Sequence, residues 1–454
     1  MANVYLKIEI KQRELLSKIL IGMHCALKKN TVYLGNVQDY LFRDKFSPGV
    51  FLDKSISRTK SKLLKLQRIK SNGHVITCID EEMGVTHENY YSFSKLRFSN
   101  DTLKQTSAIF CYGQYDFNFL RKKYKSFKNI FHKTGSARVD VCNILKKFDK
   151  RKRLTKFPKK KYIIIGSNFG TIVSKKPLWK IIEDRKHYYD YRKKSNDKKI
   201  ESQNFRFGRD VWKISIFKEY IDLIQTLSNS FKDFNIIVRP HPSEMKNGWK
   251  SIVKNNLKNV FILDDYTSSE VINFAELMIH SGCTTALEAK LLGTPVISFN
   301  PIKDRTYERK FFTNCGREFT KQNKLLNFIK SKKYKNLVFK KNFINEMNNK
   351  FFMNKEYSSS ERISLVIQDL INRNNLNNYH NSLKNKINLL IISLKNFIKN
   401  IILINKDTNY FEHKFEKLDN KEVHDIIELY KKTNKNFHKI RYKIISKRLL
   451  KIWC

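Results

Sequence analysis

The sequence predicts an α/β protein with two Rossmann-like domains, each a parallel sheet covered by helices on both faces. Short apolar runs alternate with longer helical patterns through roughly the first 340 residues, which is typical of parallel sheets. The series occurs twice, on either side of a basic segment at 146–161. A chain of 454 residues that is 41% hydrophobic is also large enough to bury two cores.

The apolar runs and helical patterns define the two halves. Strands are expected at 4–8, 31–35, 50–53, 74–79 and 108–113 in the first half, and at 162–167, 235–240, 260–263, 277–280 and 295–299 in the second. The clearest helical patterns lie at 13–28, 57–70, 211–231 and 284–292. Because 146–161 has little apolar content, we interpret it as a linker. We therefore expect domains at 1–150 and 151–345 and a basic helical extension at 346–454.

The charge balance is strongly positive, with 90 Lys and Arg against 42 Asp and Glu and a formal net charge of +48. This balance suits nucleic acid, an anionic membrane or phosphorylated substrates as partners. Lys, Asn and Ile are abundant throughout, so a drift toward AT-rich codons explains the charge equally well. The excess is spread along the chain and no nucleic-acid-reading motif is present, which makes a nucleic-acid-binding protein the least favoured function.

Cysteine usage and the N-terminus indicate a cytoplasmic protein. The seven cysteines are scattered and form no C-x-x-C pair, which favours neither a disulfide framework nor a zinc site. The N-terminus "MANVYLKIEIKQREL" alternates apolar and charged residues, unlike a signal peptide. Because no long uncharged apolar run occurs, we expect no membrane-spanning helix.

The stretch "DFNIIVRPHPSE" (233–244) carries a predicted strand into Arg239-Pro240-His241-Pro242. The two prolines fix φ and remove two backbone donors, so they stop the strand and hold His241 in a stiff turn. Ligands of open parallel sheets bind beyond the carboxyl ends of the strands. His241 could there bond a phosphate oxygen or donate a proton, although a turn histidine that caps the next helix is an equal alternative.

The stretch "LMIHSGCTTALEAKLLGTPVISF" (277–299) predicts a strand, a turn of small residues and a helix. Ser281 and Gly282 lie in the turn, and Thr284 or Thr285 begins the helix. Backbone N–H groups and the positive end of the helix dipole would form an anion site there. Glu288 has two equally good roles, because Thr285 and Glu288 match a capping box but the carboxylate could also reach ribose hydroxyls.

Acidic residues follow a strand of the first half in "IDEEMG". Asp80, Glu81 and Glu82 are adjacent, and mutual repulsion would raise the pKa of at least one of them and suit it to act as a general base. Loop acidity exposed to solvent is the alternative. Two further strand ends contribute Asn168 and Tyr266 as weaker candidates.

Together these stretches resemble a family of bacterial surface carbohydrate biosynthesis proteins that are GT-B glycosyltransferases, in which two Rossmann-like domains face a cleft. The resemblance covers roughly residues 1–345. It rests on "VYLKIEIKQREL", "VFLDKS", "IDEEMG", "TGSARVD", "SNFG", "RPHP" and "HSGCTTALEAKLLGTPVISFNP". The wider relatives transfer acidic sugars from CMP-sugars and combine an acidic motif in the first domain with a His-Pro motif in the second.

The resemblance implies an inverting, metal-independent glycosyltransferase that moves a nonulosonic acid or Kdo from a CMP-sugar, its co-substrate, to a surface glycan, lipid-linked or protein acceptor. Asp80, Glu81 or Glu82 would be the base, and His241 would meet the CMP phosphate. The implied donor-binding residues are Asn168, Arg239, Pro242, Tyr266, Ser281, Gly282, Thr284, Thr285 and Glu288. A CDP-glycerol-type glycerophosphotransferase, which shares the Arg-x-His-Pro pattern, is the alternative enzyme.

Two C-terminal segments are basic and amphipathic. Lys395 and Lys399 are the charged residues of 387–404, and they lie on one helical face. This segment fits either a membrane-interface helix or a helix packed across the two domains, and 439–453 has a similar composition. A lipid-linked acceptor would favour peripheral contact of these segments with the anionic inner face of the membrane.

Overall fold

A computed structural model describes residues 1–81, 94–95, 97–147, 160–173, 196–253, 257–263, 266–337, 341–351, 358–378, 383–401 and 414–454. The chain divides into two compact units. Unit 1 combines residues 1–148 with residues 344–454, and unit 2 contains residues 149–343. The C-terminal residues therefore belong to the same unit as the N-terminal sheet.

Each unit contains one sheet. The strands of the N-terminal part are β1 (Asn3–Lys7), β2 (Thr31–Gly35), β3 (Gly49–Asp53), β4 (Val75–Cys78), β5 (Ala108–Cys111) and β6 (Phe131–Lys133). Unit 2 contributes β7 (Tyr162–Gly166), β8 (Asn235–Arg239), β9 (Val260–Ile262), β10 (Leu277–His280), β11 (Val296–Phe299) and β12 (Arg317–Phe319). The C-terminal part adds β13 (Arg441–Ser446) and β14 (Leu449–Trp453).

Helices connect these strands, as the sequence pattern predicts. The helices of the N-terminal part are α1 (Lys11–Leu27), α2 (Gln38–Phe42), α3 (Lys60–Ser71), α4 (Asn100–Lys104), α5 (Gln114–Lys123) and α6 (Ala137–Lys147). Those of the middle part are α7 (Asn196–Ser230), α8 (Lys246–Ile252), α9 (Ser268–Asn273), α10 (Thr285–Leu292), α11 (Lys310–Thr313) and α12 (Gln322–Lys330). The last four are α13 (Lys341–Lys350), α14 (Ser359–Arg373), α15 (Leu383–Ile401) and α16 (Asn420–Lys431).

The sheet of unit 2 is parallel, with the strand order β12-β11-β10-β7-β8-β9. The chain starts at β7, builds outward through β8 and β9, and then returns to the other side of β7 with β10. This is the strand order of a Rossmann sheet, and its topological switch point lies between β7 and β10. The loops that follow these two strands leave in opposite directions, so a crevice forms between them at the carboxyl edge of the sheet.

The sheet of unit 1 has the order β13-β14-β2-β1-β3-β4-β5-β6. Strands β1 to β6 are parallel, and their switch point lies between β1 and β3. The prediction of two Rossmann-like α/β domains is therefore confirmed. Strands β2, β3, β4 and β7 are buried almost throughout, because parallel strands inside a sheet are covered on both faces, and this explains their continuous apolar runs.

The C-terminal residues complete unit 1 by two kinds of contact. Strand β14 pairs antiparallel with β2, and β13 pairs with β14 as a hairpin. Asp140 of α6 accepts hydrogen bonds from the backbone N–H groups of Ser359 (3.0 Å) and Ser360 (2.7 Å), which fixes the N-terminus of α14. The extension is thus helical at α14 to α16, but 439–453 contributes a hairpin to the sheet where the sequence pattern suggested an amphipathic surface segment.

Helix α15 provides most of the segment 387–404 and ends at Ile401. Within the described residues, no helix combines the length and the apolar content that crossing a bilayer requires. Residues 148–159 of the predicted linker lie outside the described residues.

Candidate functional site

A pocket opens at the switch point of unit 2. It encloses about 470 Å³, including space open to solvent. Asn168 follows β7, Ser281 and Gly282 follow β10, and Asn300 follows β11, so the pocket lies at the carboxyl edge of the sheet. The other lining residues are Phe169, Arg209, Trp212, Lys213, Ile216, Tyr307, Glu308, Arg309 and Thr313.

Asn168 connects the two loops that flank the switch point. Its side-chain Nδ2 donates to the carbonyl of Gly282 (3.2 Å), and its own carbonyl accepts from Lys213 Nζ (2.9 Å). Gly282 has φ +66°, a left-handed conformation that side chains rarely adopt. The sequence therefore needs glycine at the point where the loop after β10 turns into α10.

The imidazole of His280 is neutral and fixes the turn that follows β10 by two hydrogen bonds. Its Nδ1 accepts from the backbone N–H of Cys283 (3.2 Å), and its Nε2 lies 3.0 Å from Ser298 Oγ. Because Ser298 Oγ donates its proton to the carbonyl of Thr313 (2.7 Å), the proton between His280 and Ser298 belongs to His280 Nε2. Burial lowers the pKa of His280 to about 3, so the ring is a structural element and not a proton shuttle.

Three cationic side chains line the pocket. Arg209 and Lys213 come from α7, and Arg309 precedes α11. One carboxylate, Glu308, also lines the pocket, so the local balance of charge is positive. Such a pocket attracts an anion, and guanidinium groups suit phosphate or carboxylate oxygens.

Two aromatic side chains, Trp212 and Tyr307, also line the pocket. The rings of Trp212 and Tyr307 lie 6.0 Å apart between centroids. Trp212 Nε1 donates to the carbonyl of Ile302 (2.9 Å), which fixes the indole. Aromatic faces of this kind stack on planar rings. A pocket with cations, a glycine turn and aromatic walls can therefore hold an anionic group joined to a planar one.

Glu244 organises the loops after β7 and β8. This buried carboxylate accepts hydrogen bonds from the backbone N–H groups of Phe169 (2.7 Å), Gly170 (2.9 Å) and His241 (3.2 Å). It also accepts from Trp249 Nε1 (2.8 Å) and from the hydroxyl of Ser167. Burial raises the pKa of Glu244, while these hydrogen bonds act in the opposite direction.

His241 lies at the same edge of the sheet, but it does not line the pocket. Its Nδ1 accepts from the backbone N–H of Ser243 (3.2 Å), so a neutral His241 carries its proton on Nε2. The prolines and Glu244 together hold this turn. The turn therefore joins β8 to the Glu244 network through the backbone N–H of His241.

Several predicted donor residues have other contacts. Arg239 Nη1 donates to the carbonyl of Leu263 (3.1 Å). Glu288 accepts from the hydroxyls of Ser268 (2.8 Å) and Ser269 (2.9 Å), and the N-cap of α10 is Thr284 without a side-chain hydrogen bond. The capping box predicted between Thr285 and Glu288 is therefore absent from the described structure. The pocket lining includes Asn168, Ser281 and Gly282 and lacks Arg239, Pro242, Tyr266, Thr284, Thr285 and Glu288.

Two carboxylates of the acidic motif, Asp80 and Glu81, are paired with cations. Asp80 is fully buried and forms a bidentate pair with Arg97, with both N–O distances at 2.7 Å. Glu81 Oε1 accepts from the buried Lys18 Nζ (2.9 Å), and Glu81 Oε2 accepts from Tyr112 (3.3 Å). Burial alone would raise the pKa of Glu81, but Lys18, Arg138 and Arg13 hold it at about 2.

With its pKa held at about 2, Glu81 lacks the environment of a general base, which requires a pKa near the working pH. Both carboxylate oxygens of Asp80 already accept hydrogen bonds from Arg97. The repulsion expected between adjacent carboxylates is overcome by the cations that fold against them. Glu82, the third residue of the motif, lies outside the described residues.

Charged residues also occupy the switch point of unit 1. Glu9, just beyond β1, pairs with Lys54 (2.6 Å) and Lys414 (3.1 Å). Burial raises the pKa of Glu9, but the two lysines outweigh it and hold the pKa at about 2. Asp53 at the end of β3 pairs with Lys7 (3.3 Å) and with Lys62.

The sequence reasoning missed Arg209, Lys213, Trp212, Tyr307, Arg309 and Glu244. Trp212 and Lys213 lie in the helical pattern at 211–231, and Tyr307 and Arg309 lie in "PIKDRTYERK". Neither stretch contains a motif that distinguishes these side chains from their neighbours. For Glu244 a signal existed, because "HPSE" places a carboxylate three residues after His241, as in a capping box.

No family model and no curated protein matches the chain. Similar solved structures include a variant of the wall teichoic acid polymerase TagF, at 13% identity and a TM-score of 0.48, covering 82% of this chain and 89% of that one. The UDP-GlcNAc 2-epimerase of Methanocaldococcus jannaschii has 13% identity and a TM-score of 0.46, covering 81% and 99%. The S. aureus MnaA–UDP structure has 11% identity and a TM-score of 0.46, covering 82% and 97%. Similarities of this size do not identify a substrate.

The buried His280 makes unit 2 sensitive to acid. A histidine whose pKa falls from 6.5 to about 3 on folding stabilises the fold fully above pH 6.5, and this stability is lost as the pH falls toward 3. The loss approaches about 1.4 kcal/mol per pH unit for one proton. Thermal unfolding from pH 7 to pH 5 should therefore show a falling transition temperature.

The His280→Gln variant should flatten this dependence, and the same change at the exposed His438 should not. Burial lowers the pKa values of His24 and His74 of unit 1 to about 4, so unit 1 also loses stability in acid. The comparison between variants therefore uses the unfolding transition of unit 2. An unchanged slope in His280→Gln would show that the ring is not neutral in the folded protein.

Proposed function

We propose that unit 2 binds a nucleotide-activated donor at its switch-point pocket and that the chain is a transferase, with a CMP-sugar as the leading donor. The observation that supports this proposal is the position of Asn168, Ser281, Gly282 and three cationic side chains around the crevice between β7 and β10. Crevices at such switch points are where Rossmann sheets hold nucleotides.

The charge of the pocket supports a phosphate as the bound group. Arg209, Lys213 and Arg309 line the pocket together with one carboxylate, Glu308, so cations outnumber anions in the lining. When the bond between donor sugar and phosphate breaks, negative charge grows on the departing nucleotide. Cations that are already in place stabilise that charge without reorganisation.

The aromatic residues support a nucleobase in the same pocket. Trp212 and Tyr307 line it together with the cations, and their ring centroids lie 6.0 Å apart. A nucleobase that stacks there would leave its phosphate near the Ser281–Gly282 turn. The donor sugar would then follow, and an acceptor hydroxyl that attacks its opposite face would invert the anomeric configuration.

The second candidate is a transferase that uses a diphosphate donor of the CDP-glycerol type. Three cations offer more positive charge than a single phosphate requires, and this favours a diphosphate. The two candidates differ in the donor and share the pocket.

A panel of CMP, CDP, UMP and UDP separates the two candidates by thermal shift and calorimetry. A CMP-sugar enzyme should bind CMP most tightly, and at about 100 times the dissociation constant CMP should stabilise the fold by roughly 2.7 kcal/mol. A preference for CDP would support the second candidate. If none of the four nucleotides binds, the proposed function is wrong.

Substitution of the cationic side chains that line the pocket tests whether the nucleotide binds there. Lys213→Gln and Arg309→Gln should each weaken nucleotide binding by about tenfold or more, because a charge-assisted hydrogen bond to phosphate is lost. Lys218 lies on the same helix, is exposed and pairs with Asp222 (2.9 Å), so Lys218→Gln is the matched control. Equal losses in Lys218→Gln and in the pocket variants would mean that binding reflects the general charge of the chain.

For the acceptor, we propose that Glu82 is the general base. The ion pairs of Asp80 and Glu81 support this choice, since both carboxylates already have cationic partners. Glu82→Gln should lower kcat by about 100-fold or more and leave nucleotide affinity unchanged. Glu81→Gln should instead lower the unfolding temperature, because the buried Lys18 loses its partner.

Donor turnover measured by nucleotide release, together with thermal unfolding, distinguishes these effects. Full activity in Glu82→Gln would remove Glu82 from the mechanism. That result would not affect the proposal that unit 2 binds a nucleotide, which the binding panel tests.

A further inference from the structure

Helix α15 carries a stripe of exposed apolar side chains. The exposed fractions are 71% for Leu383, 48% for Ile387, 71% for Leu390, 41% for Ile391 and 57% for Leu394. These five are among the eleven exposed large apolar side chains of the described residues, so the exposure is concentrated on one helix. At about 100° per residue they lie within one arc of the helix surface, which we name the α15 stripe.

The opposite face of α15 packs on unit 1. Leu389 and Ile392 lie against its core, and the helix contacts strand β13. Asn385 is buried, and its Oδ1 accepts from the backbone N–H of Ser47 (2.7 Å). Lys384 pairs with Asp44 (2.7 Å). These polar contacts fix the rotation of the helix, so the stripe is held outward.

Cationic side chains lie beside the stripe. Lys386 is exposed on the same helix, and Lys443 of β13 is exposed on the hairpin that α15 contacts. Lys451 of β14 is the register partner of Lys443 in the β13–β14 hairpin. Burial, followed by the charges of Lys443 and Lys386, lowers the pKa of Lys451. The Lys451 Nζ is 5.1 Å from the centre of the Trp453 ring. An apolar stripe on a helix that also carries and contacts exposed lysines is typical of helices that lie in a membrane interface.

We propose that the α15 stripe, with Lys386, Lys443 and Lys451, binds the surface of an anionic lipid bilayer. The apolar side chains enter the boundary between headgroups and acyl chains, and the lysines contact anionic headgroups. The helix spans 19 residues, or roughly 28 Å, and lies parallel to the surface because one side stays packed on unit 1. This surface is independent of the reaction proposed for the switch-point pocket.

The charges favour a bilayer over a second copy of the chain. Two copies that met through the same face would bring the three lysines of each copy together, in a chain with a net charge of +48. An anionic bilayer covers the apolar side chains and neutralises the lysines at the same time. A second copy covers the stripe but concentrates like charges.

Sedimentation with vesicles tests the proposal on the full chain. The protein should bind vesicles of phosphatidylcholine with phosphatidylglycerol, bind pure phosphatidylcholine at least about tenfold more weakly, and be released from the anionic vesicles by high salt. The double variant Leu390→Ser with Leu394→Ser should bind the anionic vesicles at least about tenfold more weakly, because two large apolar side chains no longer enter the lipid.

Leu64 and Leu365 provide the matched control, because they are 55% and 44% exposed and lie on α3 and α14. The double variant Leu64→Ser with Leu365→Ser should bind vesicles as the parent does, and thermal unfolding should show that both double variants are folded. Equal vesicle binding by the two double variants would contradict the role of the stripe. Absence of vesicle binding, or a concentration-dependent dimer that Leu390→Ser with Leu394→Ser abolishes, would overturn the proposal.

Discussion

The divergence of two loops at the switch point of unit 2 is the constraint on which the candidate site depends. Strands β7 and β10 are neighbours, and the chain leaves them in opposite directions. An open crevice at a sheet edge exposes backbone polar groups, so its walls must be held by other contacts. Two buried side chains do this: Glu244 gathers the loops after β7 and β8, and His280 fixes the turn after β10. Asn168 joins the two walls through the carbonyl of Gly282.

Unit 1 uses charge differently. At the corresponding sheet edge, Asp53, Asp80 and Glu81 are buried and paired with Lys or Arg. Paired buried charges cost desolvation free energy, and removal of one partner leaves the other uncompensated. These pairs therefore hold the strand ends in place. The neighbouring cations also hold the pKa values of Asp53 and Glu81 at about 2, although burial alone would raise them.

The sequence predicted the sheets well and the pocket only in part. Parallel strands are buried on both faces, so "YIIIG" and "NIIVR" appear as continuous apolar runs with an unambiguous pattern. The hairpin β13–β14 was missed because "KIRYKIISKRLLKIW" is basic and lies far along the chain from β2, with which it pairs. Asn168, Ser281 and Gly282 could be found because they directly follow strands. Arg209, Lys213 and Arg309 could not be found in this way. Their position at the pocket depends on how α7 and the loop before α11 pack over the sheet edge, and no local sequence pattern encodes that packing.

We propose that the phosphate of a nucleotide binds between the loops that follow β7 and β10. A crystal structure of the full chain soaked with CMP or CDP tests it most directly. We expect phosphate density beside the Ser281–Gly282 turn, with oxygen atoms about 3 Å from Lys213 Nζ or an Arg309 nitrogen. Nucleotide density elsewhere on the chain, with the switch-point pocket holding only solvent, would contradict it.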